Sequence, residues 1–211
     1  EREAEKLSTR WLTEHRVDIR GLNDERQEVY RDIAEMSAEP VDIDLAQPRS
    51  ELQASTAIRE MDGTETDLPR FEKHLMCDKD GLFPASFNDW EKKVLATELA
   101  RPDCVAWYRN PGRGSESLGI AYAADKTFKI MRPDFMFFAL DQTGKIVVDI
   151  VDPHGIHLAD ALIKLQGLAK YAERHAASFR RIDAVAVLDD AYRVLDMKEA
   201  AVRDAVFAAA S

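Results

Sequence analysis

Only two cysteines, Cys77 and Cys104, occur in 211 residues, far apart and without the paired spacing of a zinc site. Their scarcity excludes a disulfide framework or a cysteine-built metal cluster, and Cys104 is expected to be a small buried residue on a strand, with Cys77 in a polar loop. No apolar run approaches the roughly 20 residues that a membrane-spanning helix needs, and no charged-then-apolar leader opens the chain. A cytoplasmic protein with no membrane partner is therefore expected, and Glu1 in place of an initiating methionine suggests a domain cut from something longer. Positive charge is also short: 29 Lys and Arg stand against 39 Asp and Glu, a net charge of -10, which argues against an indiscriminate nucleic-acid binder. The deficit is uneven. Residues 1–80 carry 12 basic and 21 acidic side chains, whereas residues 81–211 carry 17 and 18.

What is present divides the chain into three parts. Ala4, Leu7, Trp11 and Leu12, then Val29, Ile33 and Met36, recur at helical spacing and predict a two-helix arm over residues 1–48. Residues 49–70 are polar, broken by Gly63 and Pro69, and read as a linker or extended strap. From Phe71 onward the pattern becomes that of an α/β domain over 71–211. A helix opens at Asn88-Asp89-Trp90-Glu91, and strands are expected at Cys104–Asn110 and around Leu118–Tyr122. A hairpin then spans 134–151, a helix runs from Leu158 to Ala176, a strand covers Arg181–Leu188, and a last helix lies over 197–210.

The hairpin carries two aspartates in apolar surroundings. If Asp141 to Gly144 form a four-residue turn, Leu140 pairs with Lys145, Met136 faces Asp149, and Asp134 faces Val151. Asp134 and Asp149 then share one face as diagonal neighbours within reach of one cation. An unpaired carboxylate beside Ile146, Val147, Val148 and Ile150 would cost on the order of several kcal/mol. A shared divalent metal is one solution, and solvation or capping at the strand ends is the other.

Pro133-Asp134-Phe135, a turn, and an apolar strand with an acid at Asp149 resemble the core of the PD-(D/E)xK nuclease superfamily. Over roughly residues 71–190 the succession of elements resembles the C-terminal nuclease region of type III restriction enzyme Res subunits and related DEAD/DEAH-box helicases. The resemblance implies a restriction-endonuclease-like core of helix, three antiparallel strands, helix and strand. It implies Mg2+ or Mn2+ held by Asp134 and Asp149, with Glu91 as a third acid, where helix capping explains Glu91 equally well. It further implies DNA as substrate, with Arg109, Arg113 and Arg132 as contacts to it. A helicase region, where ATP would act, or a modification subunit would be the protein partner.

One departure matters. The superfamily's second motif is acid, any residue, lysine, and the lysine slot after Asp149 holds Val151, which can neither orient water nor stabilise developing charge. Lys164 on the next helix is one replacement, although an ion pair with Asp160 accounts for it as well. The Asp152-Pro153-His154 step is another, with His154 as base or ligand. The third possibility is a degenerate domain kept for binding nucleic acid or docking a partner subunit. A small-molecule hydrolase built on His154 lacks a suitably placed serine or cysteine nucleophile.

Overall fold

The computed structural model describes residues 42, 57–59, 61, 63–114, 116–124, 127–153, 161–188 and 191–209. The expected helical arm lies outside the described residues except for Asp42. So does His154. Within 49–70, where a linker or strap was expected, β1 (Ala57–Arg59) and β2 (Glu65–Asp67) form a short antiparallel pair. A second small hairpin follows, β3 (Arg70–Glu72) with β4 (Leu82–Pro84). Gly81, at φ 77°, supplies the left-handed residue of the turn between them.

Helix α1 (Asp89–Leu99) starts where the polar letters say it should. The Asn88 side chain accepts the Glu91 amide at 2.9 Å, while Glu91 Oε2 accepts the Asn88 amide at 2.8 Å, a reciprocal capping box. Val94 and Leu95, each 1% exposed, face the core.

The central sheet is built from β5 (Cys104–Arg109), β8 (Phe135–Leu140), β9 (Ile146–Pro153), β10 (Arg181–Leu188) and β11 (Ala191–Asp196), in the order β11-β10-β9-β8-β5. β8 is antiparallel to both of its neighbours, β5 and β9, β10 is parallel to β9, and β11 turns back antiparallel to β10. The parallel step needs a crossover, which α2 (Ala161–His175) supplies. The chain is therefore an α/β protein with a mixed sheet.

Two apolar clusters cover the two faces. Val94 and Leu95 of α1 pack with Phe87, Trp107, Phe135, Phe137, Val151 and Val185. On the other face Leu168, Ala169 and Ala172 of α2, with Val206 of α3 (Ala200–Ala208), pack against Met136, Ile150, Ile182 and Ala184. Alternation along β8, β9 and β10 sorts these residues, which is why the strands read as nearly continuous apolar runs.

The strand expected around Leu118–Tyr122 forms but does not join the sheet. β6 (Ile120–Ala124) pairs with β7 (Thr127–Met131) in a separate hairpin that lies on α2. The contact is close: a Cβ added at Gly167 would sit 2.6 Å from Tyr122 Cβ, so glycine is required there.

The outer edge of β5 is closed by residues 73–75. Trp107 donates to the Lys73 carbonyl at 3.0 Å and Leu75 donates to the Trp107 carbonyl at 2.9 Å. The next rung is made by a side chain, with the Arg109 amide donating to His74 Nε2 at 3.0 Å. That ring stacks on Phe83 at 3.5 Å, and burial lowers the His74 pKa to about 4, so it serves as a neutral acceptor.

Candidate functional site

The connection between β8 and β9 decides which acids meet. Asp141 Oδ1 accepts the amides of Thr143 and Lys145 at 2.8 and 3.0 Å, the Gly144 amide donates to the Asp141 carbonyl, and Gly144 sits at φ 79°. The Asp141 amide also bonds the Lys145 carbonyl at 2.9 Å, which leaves a three-residue loop with a left-handed glycine in place of the four-residue turn expected from the sequence. Leu140 consequently pairs with Ile146, and Asp149 with Phe137. This corrects the expected register by one residue. Because one residue of slip changes the face on which cross-strand neighbours meet, Asp134 and Asp149 are not diagonal partners.

Continuing the observed register by one step past Phe135 and Val151 sets Asp134 against Asp152. A hydrogen bond joins them: the Asp134 amide donates to Asp152 Oδ1 at 3.0 Å. Asp134 stands at the bend before β8, and its Oδ1 lies 3.2 Å from Arg109 Nη2. Arg109 Nη1 lies 2.6 Å from Glu91 Oε1. That contact is a charge pair only, since Nη1 is buried and has no hydrogen-bond partner of acceptable geometry. The guanidinium rests over the rings of Phe87 and Phe135, 5.2 and 5.0 Å from their centroids. Glu91, Arg109, Asp134 and Asp152 thus form one chain of contacts at the end of the β8/β9 pair.

Asp149 belongs to a different cluster. It is fully buried, and both of its oxygens meet Arg180, Nε to Oδ1 at 2.9 Å and Nη2 to Oδ2. Arg181 Nη1 approaches the same Oδ2 at 3.5 Å, Nη1 and Nη2 fork onto Glu98 at 2.8 and 2.9 Å, and Nη2 lies 2.6 Å from Asp183 Oδ2. The hydrogen bonds that Arg180 donates to Asp149 push the Arg180 pKa up; burial opposes the charge on Arg181, and Glu98 and Asp183 outweigh it. Arg180 and Arg101 hold the Asp103 carboxyl down at about 2. Asp183 goes the other way: burial pushes it up to about 6 despite Arg181 beside it. As a magnesium ligand Asp149 is misplaced, because bidentate arginine pairing occupies the oxygens a metal would need.

The remaining candidates fall in several places. Val151, in the expected lysine slot, is fully buried in the α1-side cluster. Lys164 is half-buried near the start of α2. Arg113 is exposed on the 110–117 loop, which Asn110 and Ser117 tie down through bonds to Leu118 and to the Pro111 carbonyl. Arg132 has a buried Nε with no hydrogen-bond partner among the described residues. Asp152 is the residue the sequence reasoning passed over as the acid facing Asp134. Its signal was the Asp141-Gln142-Thr143-Gly144 string, whose glycine favours a three-residue loop with a left-handed third position.

An α/β domain with a mixed sheet and an acid cluster at one end of its central hairpin is the class these observations define. Residues 72–211 match the YagJ family, and the chain belongs to it. It is 51% identical over 205 residues to "Protein YagJ" of Escherichia coli strain K12, an alignment that covers 97% of this chain and 83% of that protein. No solved structure matches the chain significantly.

Proposed function

We propose that this chain is a nuclease-like domain cleaving DNA phosphodiesters with Mg2+ or Mn2+, and that its acids are Asp134 and Asp152, with Glu91 beside them. The observation that carries this reading is the contact chain from Glu91 through Arg109 and Asp134 to Asp152. It lies within an element order of helix, three antiparallel strands, helix and parallel strand. That order supports a restriction-endonuclease-like core. Shifting the acid from Asp149 to Asp152 also moves the lysine slot from Val151 to His154, so the motif reads Asp152-Pro153-His154.

The donor set suits a hard cation. Among the described residues no three His, Cys, Asp or Glu side chains cluster as a metal cage. Two carboxylates with water and substrate oxygens are nonetheless what Mg2+ ordinarily takes. When bound, the metal would lower the pKa of a water and offset charge building on the phosphate. Asp134 and Asp152 would hold it, the Asp134 amide orients the Asp152 carboxylate, and Pro153, the last described residue of β9, has no amide hydrogen to donate. His154 is assigned the proton transfer that the superfamily gives to lysine. A helicase region using ATP, or a modification subunit, would lie outside these elements.

A second reading is favoured by one observation: Arg109 already spans Glu91 and Asp134, as it would in a domain kept for nucleic-acid binding or docking. Incubation with supercoiled and linear DNA in Mg2+ or Mn2+ separates the two. Cleavage by the wild type that is lost in Asp134→Asn, in Asp152→Asn and in His154→Ala supports the enzyme. DNA binding with no cleavage in either metal supports the second reading, and cleavage that survives Asp152→Asn sinks the assignment of the acids.

A further inference from the structure

We infer that Arg132 is the phosphate-binding residue at this end of the sheet, a guanidinium kept without a counter-charge until a phosphate of the DNA backbone supplies one. This rests on the nucleic-acid reading above and names the residue that serves it. Among the described residues, the other lysines and arginines that are not exposed are all engaged. Arg101, Arg109, Arg180 and Arg181 meet carboxylates, Lys198 and Arg203 donate to carbonyl oxygens, and Lys164 has a partner too. Arg132 is the exception among the described residues. It is partly buried, it meets no carboxylate of those residues, and its Nε is buried without a hydrogen-bond partner. A cation withdrawn from water with no partner is costly, and an anion at its open end offsets that cost. With Nε enclosed, the part of the charge that reaches solvent is the Nη end, a planar fork suited to two phosphate oxygens.

The backbone on either side holds the group in place. Met131, in register with Ile120 at the end of β7, is buried in the α2-side core. Pro133 is buried as well, and a proline biases the residue before it toward extended backbone. One residue further on, the Asp134 amide is fixed to Asp152 and the Asp134 carbonyl accepts the Asn110 amide at 2.9 Å. A rigid segment thus delivers Arg132 to the end of the hairpin where Asp134 and Asp152 stand. Arg109, the other cation there, already faces Glu91 and Asp134. Acids alone would repel a DNA backbone, and an uncompensated guanidinium beside them draws it in.

Fluorescence anisotropy with a labelled DNA duplex, with and without Ca2+, tests this on wild type, Arg132→Gln, Arg132→Lys and Arg193→Gln, each checked for folding by circular dichroism. Arg193 is the control, an exposed arginine on β11. Arg132→Gln is expected to weaken binding about tenfold and to reduce the slope of log affinity against log salt by about one. Arg132→Lys, which keeps the charge, should keep the slope, and Arg193→Gln should stay within about twofold of wild type. A folded Arg132→Gln that binds like Arg193→Gln, with an unchanged slope, overturns the inference and leaves the nucleic-acid reading standing. No binding by the wild type in either condition overturns that reading, and the inference with it. Should Arg132→Gln not fold, the wild type still decides through modification by phenylglyoxal, an arginine-selective reagent, read by mass spectrometry. Modification of Arg132 that slows about tenfold on adding DNA, with Arg193 unaffected, supports the inference. Modification of Arg132 that DNA leaves unchanged overturns it.

Discussion

Two acid clusters lie within a few residues of each other on β9, and they differ in how their carboxylates are held. Around Asp149, planar guanidiniums fork onto the acids: Arg180 takes both Asp149 oxygens, and Arg181 takes both Glu98 oxygens. Around Asp134, one guanidinium is shared between two acids, and its contact with Glu91 lacks hydrogen-bond geometry. The first arrangement spends its charge on joining α1 to β9 and β10. The second ties the start of α1 to the end of the β5/β8 pair through one shared arginine. A carboxylate buried in a sheet thus says little about metal chemistry until its partners are known.

The comparison can be broken most forcefully at Val151, which lies between the two acids on β9. Val151→Lys would place an ammonium among Phe135, Phe137 and Trp107 and is expected to cost about 5 kcal/mol, read by urea denaturation. It restores no cleavage, because the lysine would point into the core on the α1 side of the sheet. Stable protein with a gain of cleavage would merge the two clusters into one site.

Asp149→Ala comes next. It strands Arg180 and part of Arg181, and a loss of about 3–4 kcal/mol is expected in the same assay. Mn2+ affinity, measured below the denaturation temperature, stays within about twofold of wild type.

Asp183 sharpens the picture through pH. Its folded pKa, about 6, lies above the ordinary aspartate value, so its stabilising contribution is complete below about pH 4 and is lost as pH rises through 6. The stability difference between wild type and Asp183→Asn should therefore fall by about 2 kcal/mol from pH 4 to 7. A flat difference would mean that Arg181 cancels burial, and a difference that rises with pH would mean that it outweighs burial. The smallest effect on stability is expected at Asp152→Asn, within about 1 kcal/mol by urea denaturation, because the amide oxygen still accepts the Asp134 amide. On the proposed metal site, Mn2+ binding is nonetheless expected to be lost in this variant.

How much of this could be read from the letters depends on the kind of interaction. The α1 start was legible because capping is local: Asn88 and Glu91 are three residues apart and satisfy each other. The strands at 104–109 and 181–188 were legible as apolar runs. The membership of β6 was not, because whether a hairpin joins the sheet or lies on α2 is settled by Tyr122 meeting Gly167, 45 residues away in sequence. Asp134 and Glu91 were picked out by motif and do meet through Arg109, whereas Asp149 was picked out by a register one residue off. Its partner Arg180 lies 31 positions downstream on the far side of a crossover, where no spacing rule reaches.

Where a cation binds is the most direct test of the difference between the clusters. In a crystal soaked with Mn2+, the anomalous difference map should place one peak beside Asp134 and Asp152. A peak on Asp149, or no peak beside Asp134 and Asp152, would contradict the account.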